Sequence, residues 1–308
     1  MIQQNLLKDY DNQINWSVES LFAHDRFVWE LLELCKVYHV EVPIYSVYGS
    51  VPCLFQGNKI PPRDASLDNA KDILKKYDEC GISCRLTFSN PSVSDLSDKL
   101  SNELLDTLNQ LPNTRHGVII ADDNLATYIR ETYKNLDVIS SISKPILEKG
   151  LCEDDVDYYN RLFDLYDYIY VNPSKVNDNV FLNELKYPER VIFTVNNKCI
   201  PDCKLRREHL DLINKINVKD INQEPCAEDL EKLTELISKC KETHKKFPLL
   251  GNQVSQTDIN YLTKLGYTNL SIEGRDFEST CFIRDIGEYI FNYFLYDSIA
   301  TSIMEGNI

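Results

Sequence analysis

The chain is short of positive charge: 33 Lys and Arg stand against 48 Asp and Glu, for a formal net charge of −15. Such a balance opposes docking on a phosphate backbone, where binding is driven by cations that replace condensed counterions. The nearest approach to a basic patch, Lys204 with Arg206 and Arg207, is three charges beside an acidic residue. A nucleic-acid partner is therefore not expected. No apolar run approaches the length of a membrane span, and the opening MIQQNLLKDYDNQINW lacks the basic-then-apolar order of a secretory signal. A cytoplasmic protein with no membrane partner is the expectation. No proline- or glycine-rich linker divides the chain, so residues 1–308 read as one domain. Several catalytic signatures are missing too. There is no Gly-rich phosphate loop, no G-x-S-x-G elbow and no H-E-x-x-H helix. The C-x3-C-x2-C of radical S-adenosylmethionine enzymes is also absent.

What is present is a rhythm. The hydrophobic fraction of 43% suffices for a sizeable core. Short apolar, β-branched or aromatic runs recur at residues 43–49, 83–90, 117–122, 137–143, 168–172, 190–196, 248–252 and 269–273. They are apolar almost throughout, as parallel strands covered on both faces must be. Between them lie stretches of helical period, such as LDNAKDILKKY, with apolar residues at 67, 70, 73, 74 and 77. Gly81, Pro188 and Gly266 stop the helix before the next strand. Eight strands alternating with eight helices predict a (β/α)8 barrel over 41–308, preceded by an N-terminal helical layer over 1–40.

Such barrels place their chemistry at the C-terminal ends of the strands. The polar residues expected there include Tyr48, Ser50, Asn90, Asp122, Ser141, Asn172, Asn196 and Asn252, which read as a substrate pocket. Each alone reads equally as a turn residue, because turns favour Ser, Asn and Asp. Glu273 and Arg275 end the last run. Gly274 permits a turn between them, and Arg275 can hold a carboxylate or phosphate with its fork. A structural Glu–Arg pair explains them as well.

Ten cysteines in a reducing compartment read as buried thiols or ligands rather than disulfides. Cys199 and Cys203 occupy VNNKCIPDCKLRREH, the loop after the run 190–196, and Cys226 follows further on. A C-x3-C spacing on a loop lets two thiolates face one ion or cluster, with Cys226 as a third ligand. For zinc a fourth ligand is needed, and His209, Cys240 or Cys281 could serve. Cys80 and Cys84 repeat the spacing but read as core residues at the opposite end of the barrel. His116, at the start of the run 117–122, reads as structural.

The segment GYTNLSIEGRDF, with the cysteine segment two strands earlier, resembles the collagenase-like peptidase family. Nearer still are uncharacterised barrel proteins with an N-x-x-C-x-x-x-C-x-x-R-x-x-H pattern, here Asn196, Cys199, Cys203, Arg206 or Arg207, and His209. The likeness covers residues 168–277. It implies a [4Fe–4S] cluster on Cys199, Cys203 and Cys226, with Glu273 and Arg275 at the mouth. It implies also an enzyme of oxygen-independent hydroxylation or a related redox step, with a redox or protein partner. The family's fourth cysteine has no match in VSQTDINYLTKL, which leaves Cys240, Cys281 or an open iron.

The expectation is therefore an iron–sulfur barrel enzyme acting on a small polar or anionic substrate, with Glu273, Arg275 and His209 as catalytic candidates. One rival is a metal-dependent hydrolase of peptidase type. The other is a non-catalytic barrel with structural zinc or a cluster and a protein partner.

Overall fold

The computed structural model describes residues 7–292 except 24, 38, 58–66, 114–115, 150–154, 198, 200–202, 223–225, 247–251 and 275–278. The side chains of 34, 218–222, 243–246, 252 and 279–281 are likewise not described.

Eight parallel strands close into a barrel, and seven of them are the runs read from the sequence. These are β2 (Ile44–Gly49), β3 (Ser83–Phe88), β4 (Gly117–Ile120), β5 (Asp137–Ser140), β6 (Tyr168–Tyr170), β7 (Val191–Thr194) and β10 (Asn269–Ile272). The eighth is β1 (Asn15–Val18), which pairs with β2 on one side and with β10 on the other. The expected N-terminal helical layer is thus corrected. It contains the strand that closes the barrel, and among its described residues only α1 (Asp25–Val37) is helical. NWSV is too short to show a period of two, which is why it was missed.

The run 248–252 is corrected as well. Its described end forms β9 (Asn252–Gln253), which pairs antiparallel with β8 (Asn196–Asn197) in a separate ribbon outside the barrel. Between β8 and β9 the chain builds two long helices, α8 (Arg206–Asn222) and α9 (Ala227–Lys246). They pack on each other through Ile213, Ile216 and Leu233, a cluster separate from the main core.

Around the barrel stand α2 (Leu67–Glu79), α3 (Lys99–Gln110), α4 (Asp123–Thr132), α5 (Lys144–Lys149), α6 (Val156–Leu162) and α7 (Asn179–Glu184), with α10 (Gln256–Lys264) and α11 (Ser279–Tyr289) later in the chain. Their apolar stripes meet the outward residues of the strands, and this layer is the main core. Leu74 and Tyr77 of α2 and Cys84 and Leu86 of β3 belong to it, all fully buried. The helix stops act as expected: Gly266, just after α10, has φ of +94°, which a side chain would strain.

The interior of the barrel is unusual. Barrels of this kind are normally filled by branched aliphatic side chains. Here Tyr48, Ile119, Ile139, Tyr170 and Ile192 form one small inner cluster. The remainder is polar: Ser17 and Ser46 share a hydrogen bond at 2.6 Å, and Arg85 reaches Ser17 Oγ at 3.3 Å.

Candidate functional site

At the C-terminal mouth a lattice of amides holds the carboxylates. Asn196 Nδ2 donates to the Glu273 carbonyl at 2.7 Å and to Asp285 Oδ2 at 2.8 Å. Its Oδ1 accepts the Glu273 N–H at 2.7 Å. Asn197 Nδ2 reaches Glu273 Oε1 at 3.3 Å, and Asn197 Oδ1 accepts the Cys199 N–H at 3.1 Å. One asparagine pair thereby ties the barrel's last strand, α11 and the cysteine loop together. Glu19, just past β1, is buried, and its Oε2 accepts the Gly274 N–H at 3.1 Å. Neither Glu19 nor Asp285 was among the expected residues. Glu19 follows the unrecognised strand, and Asp285 lies mid-helix with no spacing signal.

Gly274 has a different reason from the one expected. A Cβ there would run into the Phe282 ring, so the glycine lets α11 approach the strand end closely. Beneath the carboxylates, Tyr170 Oη donates to Ser271 Oγ at 3.3 Å. Ser271 Oγ donates to Tyr48 Oη at 3.1 Å, and Tyr48 Oη donates to the Ile272 carbonyl at 3.1 Å. Burial, then the charge of Glu19, pushes the Tyr48 phenol well above its ordinary value. Burial also raises Tyr170 to about 12, against the pull of Arg85. Both phenols are therefore neutral hydrogen-bond donors and not bases.

The other expected pocket residues are engaged locally. Asp122 caps α4 by accepting from the Asn124 and Leu125 N–H groups. Asn172 caps a short 3-10 helix, and Asn90 bonds the Leu54 carbonyl at 2.9 Å and accepts the Ser92 N–H at 3.0 Å. Ser50 donates to the adjacent Val51 carbonyl at 3.0 Å, and Ser141 pairs with Ser143 at 3.0 Å. These are the bonds of turns and caps. The backbone of Asn252 lies in β9 opposite Asn197, while its side chain, Arg275 and the side chain of Cys281 lie outside the described residues.

Beside the mouth, Cys199, Cys203, His209 and Cys240 line one hollow with Leu205, Arg206 and Leu236, about 20 Å³ in volume. Burial, then the proximity of Cys203 and Cys199, raises the Cys240 thiol. The donors converge without closing: among the described residues no three His, Cys, Asp or Glu side chains stand in ion-holding geometry. Cys226 is not brought to this hollow. It is exposed at the start of α9, fourteen residues before Cys240, which is about 21 Å along a helix. Cys80 is exposed at the end of α2, correcting its reading as a core residue, whereas Cys84 is fully buried. His116 is structural as expected, its Nδ1 accepting the Cys84 N–H at 3.0 Å and its Nε2 meeting Asp78 at 2.7 Å.

Among the described residues no helix is long and apolar enough to cross a membrane. No protein-family model matches the chain, and no curated protein does. Among solved structures the U32 peptidase Mk0906 is similar, with a TM-score of 0.54 and 14% identity over 87% of this chain and 94% of that one. At such identity the likeness establishes the closed (β/α)8-type barrel and nothing finer.

Proposed function

We propose that the chain is a barrel enzyme of the collagenase-like (U32) type. In this reading a thiolate-held metal centre on Cys199, Cys203 and Cys240, with His209 beside it, adjoins an acidic mouth that receives a small polar substrate. The observation that carries it is the convergence of three thiols and an imidazole on one hollow hydrogen-bonded to Glu273 through Asn197. Soft sulfur donors suit iron–sulfur clusters and zinc, and the apolar Leu205 and Leu236 suit a centre shielded from water.

A [4Fe–4S] cluster, implied by the resemblance, would supply one-electron chemistry for hydroxylation or a related redox step. The residues of the chain would do the rest. Glu273, held by both asparagines, would accept a hydrogen bond or a proton from the substrate at its carboxylate. Tyr48 and Tyr170, their O–H groups held by the Ile272 carbonyl and Ser271, would form a rigid floor, and Glu19 would fix the Gly274 turn.

A second reading has its own support. A hollow of about 20 Å³ suits one ion better than a cluster, and three cysteines with one histidine are a structural zinc set. Anaerobic purification followed by an absorption spectrum and iron, sulfide and zinc assays separates the two. Visible absorption with iron and sulfide supports the cluster; colourless protein with one tightly held zinc supports the ion. Cys240→Ser should lower metal content in either case and Cys226→Ser should not. The opposite pattern would return Cys226 to the ligand set.

A further inference from the structure

Arg85 is the largest fully buried side chain of the barrel, 1% exposed, and it points away from the mouth. Its direct contacts come from β1, β2 and β6, while its charge also reaches Tyr170. Its guanidinium lies over the rings of Tyr45 at 5.5 Å and Tyr168 at 5.6 Å, and Nη1 donates to Ser17 Oγ at 3.3 Å. The Nε–H has no acceptor, and among the described residues no carboxylate stands within ion-pairing distance. The nearest acid in its field is Asp137, the first residue of β5.

A guanidinium in a barrel core without a close counter-ion is costly, because the charge has lost water and gained one hydroxyl and two ring faces. The end at which it sits is also accessible. Tyr45, Asp137 and Tyr168 are all half-buried, so solvent reaches one layer below Arg85. Tyr45 is the extra residue of a bulge, since Trp16 pairs with Ile44 while Ser17 pairs with Ser46. Tyr45, which stacks on Arg85, also lines a cleft of about 590 Å³ together with Lys8, Asp9, Asn15, Glu41 and Ile44.

We propose that this N-terminal end of the barrel is a second binding site, taking a small planar carboxylate whose charge pairs with Arg85 and whose body lies against Tyr45 and Tyr168. A guanidinium offers parallel N–H donors matched to a carboxylate, and the two rings favour a flat apolar body. The cleft beside Tyr45 carries Lys8 against Asp9 and Glu41, so the attraction for an anion comes from Arg85 itself. The site is independent of the thiol hollow and of the mouth chemistry.

Benzoate and its neutral isostere benzamide are the probes, titrated into the full chain with binding followed by calorimetry and by thermal shift. Saturable binding of benzoate, with benzamide at least about tenfold weaker, is expected. Arg85→Gln should weaken benzoate by about tenfold or more. Asp137→Asn, which keeps the fold and removes the nearby negative charge, should tighten it several-fold. Absence of saturable benzoate binding to the intact chain would overturn the proposal. So would equal binding of benzamide, or weaker benzoate binding in Asp137→Asn. If Arg85→Gln fails to fold, the benzamide and Asp137→Asn comparisons decide alone.

Discussion

The two ends of the barrel hold their charges differently. At the C-terminal end the carboxylates of Glu19, Glu273 and Asp285 are each met by an amide N–H from Gly274, Asn197 or Asn196. At the N-terminal end Arg85 has one serine hydroxyl and two ring faces. Several bonds to each carboxylate-bearing strand end fix the geometry of the mouth. An unsaturated buried cation stores a demand for a partner. Polarity alone does not mark a site; the state of its hydrogen bonds does.

The largest effect should come from breaking the mouth. Asn196→Ala deletes three bonds at once and takes a donor from the fully buried Asp285. Chemical denaturation should show a loss of about 3 kcal/mol. A loss under ~1 kcal/mol would mean that the mouth is not the rigid end. Gly274→Ala drives a methyl into the Phe282 ring, for about 1–3 kcal/mol of lost stability in the same assay. If the glycine served only its turn, the variant would be tolerated.

The N-terminal end should instead show itself through pH. Burial raises the Asp137 carboxyl to about 6, with Asp167 adding to the shift and Arg85 and Arg130 opposing it. A raised carboxyl pKa favours the protonated folded form, so its contribution is complete below about pH 4. It fades as the pH rises through about 6. Thermal unfolding across pH 4–8 should reveal a decline of roughly 1–2 kcal/mol from this group. Asp137→Asn should remove that decline, and an unchanged profile would show that the barrel's lower end does not hold the group away from water. The smallest effect belongs to Asp122→Ala, which removes a helix cap for about 1 kcal/mol. Metal content should not change; if it did, Asp122 would belong to the functional mouth after all.

Seven of the eight barrel strands were legible because each is a buried run ended by a turn signal. The eighth, NWSV, is four residues long, two of them polar, and its place depends on β2 and β10 closing around it. The cysteine loop was legible from its spacing, but which thiols meet was not. Cys226 and Cys240 are equally plausible along the chain, and the direction and length of α9 separate them by about 21 Å. Arg85 could not be found from sequence at all. SCRLTF reads as a strand with one charge, and such a residue normally faces solvent.

By itself the sequence determined the barrel rhythm, the net negative charge and the existence of a thiol-bearing loop past the run 190–196. These rest on local patterns: period, charge count and spacing. Only the tertiary structure decided which strand closes the ring, that Cys240 and not Cys226 joins Cys199 and Cys203, and that Arg85 turns inward at the N-terminal end. Each of those is a meeting between residues far apart in the chain. Such meetings are set by strand register and helix length, which no local pattern carries.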